Sequence, residues 1–148
     1  NFVIGLIYTI MKVIALEGIS DSGKTKTLNL VYSLLLQAGY TQLHGAFQDL
    51  ANDDCLDVFK GFGKTIGIVT QGDYAIGAYS VKNHLTHLQS LGCDIVICAC
   101  TIGTGKQKIK NAIMAYSPHH FELKSKSSSV ALERIDNFNY ATKIMAMI

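Results

Sequence analysis

Short continuous runs of apolar residues alternate along the chain with longer stretches in which apolar residues recur every three or four positions. The first pattern marks strands buried on both faces, and the second marks helices with one buried stripe. Residues 12–16 read as a strand. Residues 24–37 read as a helix with Leu28, Val31, Leu34 and Leu35 on one stripe, stopped at Ala38-Gly39. Residues 43–47 read as a second strand. Residues 50–59, apolar at Leu50, Leu56, Val58 and Phe59 around Asn52-Asp53-Asp54, read as either a helix or a mobile loop. A strand over 65–70 follows, then a helix over 74–91 that offers Ile76, Tyr79, Val81, Leu85 and Leu88 to a core. A strand over 94–99, a helix over 106–116 ended near Pro118, a strand over 121–123 and a closing helix over 130–147 complete the series.

Apolar strands joined by helical crossovers predict an α/β fold of three layers, α/β/α, around a mostly parallel five-stranded sheet. Such sheets bind ligands beyond the carboxyl ends of their strands. No proline-rich or glycine/serine-rich linker divides the chain, so residues 11–148 are expected to form a single domain. Residues 1–10 are apolar but lack the basic start and small-residue cleavage site of a signal peptide. They read as an N-terminal extension that need not belong to the native protein, whose own start would be Met11.

With 148 residues, 49% of them apolar and 16% charged, the chain suits one core. The net charge of +2 is small and the lysines are scattered among acids, which gives no case for nucleic acid or a membrane as an obligatory partner. Oligomeric state is left open. Cys55, Cys93, Cys98 and Cys100 form no C-x-x-C pair. Cys98 and Cys100 would share one face of a strand, as buried thiols of a reduced, cytoplasmic protein do. His84, His87, His119 and His120 lack the partners of a zinc site and read as surface or half-buried side chains.

The chemistry concentrates between the first strand and the first helix. Gly18-Ile19-Ser20-Asp21-Ser22-Gly23-Lys24-Thr25 matches G-x-x-x-x-G-K-[ST] in full. A chance match in a chain of this length has a probability on the order of one per cent. Gly18 and Gly23 let the backbone bend so that successive N–H groups face inward, and the helix N-terminus adds partial positive charge. Lys24 would place its ammonium on the β and γ phosphates, and the Thr25 hydroxyl would ligate Mg2+.

These residues resemble the P-loop NTPase superfamily. Within it, Leu16-Glu17-Gly18 followed by 21–25 is similar to the nucleotide-kinase branch, notably thymidylate kinases. Asp73-Tyr74 with Ala78-Tyr79 is similar to a pattern those kinases carry after their third strand, although its arginine is absent here. The resemblance implies a P-loop NTPase fold, a nucleoside triphosphate such as ATP as ligand, and Mg2+ as cofactor.

An acid from a neighbouring strand is needed near the metal, and Asp73 follows the 65–70 strand at a carboxyl end. It reads equally as the N-cap of the next helix. Asp94 precedes its strand and falls at the opposite edge. Asp49, Asp53 and Asp54 sit where related kinases place an acceptor-positioning group, yet they read more simply as a solvated acidic loop. Glu17 would orient the loop, reach Mg2+ through water, or support the turn from a buried position. Residues 101–106 form a rudimentary lid or a plain glycine turn. Ser125 and Lys126 follow the last strand, where such proteins often meet the nucleobase.

The expectation that results is a small kinase that transfers the γ-phosphoryl group to a nucleotide or other small molecule. Lys24 and Asp73 would be its catalytic groups, residues 18–25 and Lys126 would bind nucleotide, and Thr25 and Asp73 would hold the metal. A single arginine, Arg134, leaves few bidentate phosphate clamps. The alternative is a nucleotide-dependent switch or ATPase that acts on a partner protein.

Overall fold

A computed structural model describes residues 10–148. Apart from Ile10, the N-terminal extension read at 1–10 lies outside the described residues.

The apolar runs become strands buried on both faces. In β1 (Lys12–Gly18), Val13 and Ala15 face one core while Ile14 and Leu16 face the other. The same alternation runs through β4 (Asp54–Gly61), β5 (Lys64–Val69) and β6 (Ile95–Thr101). Helices α1 (Lys24–Gln37) and α4 (Val130–Met145) cover one face, contributing Leu28, Val31, Leu35, Ala141 and Ile144. On the other face, α2 (Val81–Ser90) and α3 (Gln107–Met114) contribute Val81, Leu85, Leu88, Ile109 and Ile113. Cys98 and Cys100 share that second core, as their spacing predicts.

Among the described residues the sheet is mixed and has seven strands, which corrects the mostly parallel five-stranded expectation. Its order is β2 (Thr41–Gln42), β4, β5, β6, β1, β7 (His119–Leu123), with β3 (Gln48–Ala51) also paired to β4. Strands β5, β6, β1 and β7 are parallel, whereas β4 runs antiparallel to β5 and to both short strands.

The difference arises at 43–59. Residues 43–47 are irregular, and 50–59 is neither helix nor loop. Ala51 pairs with Asp54 across the two-residue connection Asn52-Asp53, with φ of 52° and 65°. Both central residues are left-handed, the turn that suits the twist of a tight hairpin and that Asn and Asp tolerate. Gly61-Phe62-Gly63 then turns β4 into β5, with Phe62 and Gly63 at φ 52° and 75°.

A second correction concerns 74–91. The helix begins only at Val81, where the Ser80 hydroxyl accepts from Asn83 N at 3.1 Å. Residues 74–80 form an irregular loop that leaves Tyr74, Ile76 and Tyr79 exposed, so two of the five core positions assigned to this helix face solvent.

Candidate functional site

The Gly18–Thr25 segment links β1 to α1 at the carboxyl edge of the parallel strands. Gly23 is the N-cap residue of α1 with φ 91°, and no side chain caps that helix. The first turn of α1 holds no acid, so its N–H groups face no competing carboxylate from their own turn. Glycine is required twice over. A Cβ on Gly18 would come 2.6 Å from Ser22 Oγ and 2.7 Å from the Lys124 carbonyl; one on Gly23 would come 2.8 Å from Asn137 Oδ1.

Lys24 is buried, and its ammonium donates to the carbonyls of Gly18 at 3.0 Å and Ile19 at 2.7 Å. Burial lowers its pKa, with Asp73 the largest influence in the opposite sense. Lys24 lies in a cavity of about 560 Å³ together with Ser20, Asp21, Thr25, Thr70 and Asp73.

The acid in contact with Thr25 is Asp54. Its Oδ1 accepts from Thr25 Oγ1 at 3.1 Å and from Thr70 Oγ1 at 2.8 Å. In a parallel sheet the first residue of a strand lies at the edge far from the phosphates, but β4 is antiparallel, so Asp54 arrives at the near edge. Asp54 is buried, which corrects its reading as part of a solvated loop; Asp49 and Asp53 are exposed as expected. Desolvation raises the Asp54 pKa despite the two hydroxyl donors, and Asp73 and Asp53 push it the same way.

Asp73 lines the cavity and accepts from Thr101 Oγ1 at 2.7 Å. It does not cap α2, since Ser80 fills that position. Lys106 donates to the Asp73 carbonyl at 2.6 Å, Thr101 N to the Gly72 carbonyl and Ile102 N to the Gly18 carbonyl, both at 3.0 Å. The start of the 101–106 segment therefore straps the glycine loop to the loop after β5. Gly72 is packed so closely on Ala99 that a Cβ would overlap the Ala99 carbonyl.

Glu17 turns toward α3, where its Oε2 meets Lys110 Nζ at 2.8 Å. It acts as a buried strap, one of the roles open to it. Lys126 is exposed and lines a smaller recess of about 260 Å³ with Asp21, Gly23, Ser127 and Glu133. Ion-paired Lys26 and Glu133, 2.9 Å apart, stand beside the main cavity. Asp94 lies at the far edge, where its Oδ2 accepts from Thr65 N at 2.9 Å.

The sequence reading named Asp54 only within an acidic loop and missed Lys124 altogether. Asp54 was visible only through the Asn52-Asp53 hairpin signal between two apolar runs. Lys124, directly after β7, carried no signal at all: its side chain is 1% exposed and its ammonium donates to the Ser22 carbonyl inside the glycine loop. His84 is buried against Gln71, with Nε2 2.9 Å from Oε1, and His119 and His120 are exposed.

Among the described residues no three His, Cys, Asp or Glu side chains gather as a metal cage, and no helix is long and apolar enough to cross a membrane. No family model matches the chain, and no curated protein or solved structure matches it either.

Proposed function

We propose that the chain is a P-loop protein that binds a nucleoside triphosphate, ATP being the first candidate, together with Mg2+. The observation that carries this reading is the convergence, around one cavity at the carboxyl edge of the parallel strands, of a helix N-terminus without side-chain cap or acid, a buried lysine, and a hydroxyl backed by a carboxylate. Triphosphate oxygens would draw the Lys24 ammonium off its own loop carbonyls, and the partial charge of the helix would act in the same sense.

The residues suit Mg2+. Thr25 Oγ1, with Asp54 behind it and Asp73 across the cavity, supplies oxygen donors only. Mg2+ ordinarily takes one or two carboxylates and leaves its other positions to phosphates and water, so a full protein cage is not needed. When bound, Mg2+ neutralises charge on the β and γ phosphates. The buried, proton-favouring Asp54 carboxylate is a group whose cost a cation would relieve. Acids at this position also argue against a binding-only relic of the fold.

For chemistry the proposal is transfer of the γ-phosphoryl group to a small acceptor. Lys24 stabilises charge on the transferred group, while Asp73, exposed in the cavity wall opposite the loop and oriented by Thr101, accepts the acceptor's proton or aligns its hydroxyl. The recess at Lys126 would take the nucleoside. One observation favours the second reading, a nucleotide-dependent switch: residues 74–80 leave the cavity wall directly after Asp73 and expose Tyr74, Ile76 and Tyr79 to a partner.

The test is calorimetric titration of ATP and GTP with Mg2+ against wild type and Lys24→Ala. Loss of a buried charged contact predicts a weakening of about 2–5 kcal/mol in the variant. Absence of binding by the wild type would refute the proposal. Given binding, release of labelled γ-phosphate to nucleosides and small alcohols, or to water alone, separates kinase from switch.

A further inference from the structure

We propose that Lys124 is a positioning residue of the phosphate site, bracing the glycine loop from behind and lending it a second positive charge; this rests on the nucleotide-binding reading above.

Lys124 touches the loop at its start and again at Ser22 and Gly23. Its backbone N donates to the Glu17 carbonyl at 2.7 Å, immediately before the loop. Its own carbonyl stands 2.7 Å from where a Cβ on Gly18 would be. Its ammonium donates to the Ser22 carbonyl and lies 3.1 Å from where a Cβ on Gly23 would be. The side chain is held in turn by the Tyr140 ring, 5.4 Å from Nζ, and by the Ser125 carbonyl at 3.4 Å.

Successive N–H groups face an anion only if the carbonyls between them face away, and a carbonyl turned into the protein needs a donor there. In the ligand-free arrangement two lysines and the Ile102 N–H, which also reaches Gly18, supply those donors. Lys24 serves Gly18 and Ile19, and Lys124 serves Ser22. Once Lys24 moves to phosphate, Ile102 N stays on Gly18 and Lys124 is the lysine that stays, on Ser22.

Among the described residues the charge has no contact ion pair. Buried ammonium groups are ordinarily paired with a carboxylate. Among the described residues none lies within 4.0 Å of Lys124 Nζ; Asp136 and then Glu133 act on it only from farther away, and Glu133 is itself paired to Lys26. A buried cation against an anion loop, offset only by acids at a distance, suits a protein whose bound state supplies negative charge nearby.

The experiment is titration of Mg2+–ATP, and of inorganic tripolyphosphate, into wild type, Lys124→Met and Lys124→Gln, with a thermal melt of each ligand-free form. Met removes charge and donor at similar volume; Gln keeps a neutral donor. The inference expects Lys124→Met to weaken both ligands at least tenfold with a flatter salt dependence, while its ligand-free form still melts cooperatively, and Lys124→Gln to fall between it and wild type. Binding by Lys124→Met within twofold of wild type would overturn the role of Lys124 and leave the nucleotide reading intact. Failure of wild type to bind ATP, GTP or tripolyphosphate would overturn both. If Lys124→Met does not fold, Lys124→Gln decides by the same twofold limit.

Discussion

Replacing Asp54 by Asn removes a charge without changing the shape of the side chain, and it separates the metal from the phosphates. Asp54 stands one hydrogen bond, 3.1 Å, behind the Thr25 hydroxyl, and a second bond from Thr70 at 2.8 Å fixes the carboxylate in place. Groups that orient a metal ligand from that distance typically contribute 10–100-fold to metal affinity, or about 1.4–2.7 kcal/mol. The Asn oxygen can still accept from both hydroxyls, so the fold loses little. Burial raises the Asp54 pKa above its ordinary 3.8. A carboxyl so raised contributes stability while protonated, at low pH, and that contribution is lost as pH rises through the window above 3.8. The ligand-free Asp54→Asn protein is therefore expected to melt at or above the wild-type temperature at pH 7, with no such advantage at pH 3. Calorimetric titration of ATP at saturating Mg2+ should show the 10–100-fold loss, and the same titration in EDTA should show almost none. Equal losses with and without Mg2+, or none with it, would refute the proposal that Asp54 stands beside a bound metal.

Ala51 adopts φ 68° at the bulge before the β3–β4 turn, a conformation that costs a side chain roughly 1–2 kcal/mol. After the entropy that glycine adds to the unfolded chain, Ala51→Gly should gain about 0.5–1 kcal/mol, read as a higher urea midpoint with unchanged slope. Gly72→Ala would drive a Cβ into the Ala99 carbonyl and should cost about 3 kcal/mol in the same assay; a cost under ~1 kcal/mol would show that the β5 and β6 ends are not held as described. Burial lowers the pKa of His84 below its ordinary 6.5, so the folded state binds its proton less readily than the unfolded one. Stability should fall as pH drops below 6.5, and in His84→Gln this dependence between pH 7 and 5 should be reduced; identical pH profiles would count against it.

The glycine loop was legible because its chemistry is local: a run of eight residues between an apolar strand and an amphipathic helix carries its own turn, charge and hydroxyl. Cores were legible for a similar reason, since burial on both faces keeps residues 13–16 of β1 and 95–100 of β6 apolar without interruption. The 74–80 segment misled because Tyr74, Ile76 and Tyr79 are apolar at roughly helical spacing, while Gly77 at φ 92° and the Ser80 cap delay the helix.

By itself the sequence determined the α/β alternation, the position of α1 and the full 18–25 motif, all of which depend on neighbours within a few residues. Tertiary structure alone decided which acid meets Thr25. A strand's direction depends on its partner across the sheet, and turning β4 antiparallel carries Asp54 from the far edge to the near one. The same is true of Lys124, whose contact with Ser22 spans 102 positions of the chain. Nothing within a few residues of either side chain records that pairing, because it exists only once β4 and β7 have taken their places in the sheet.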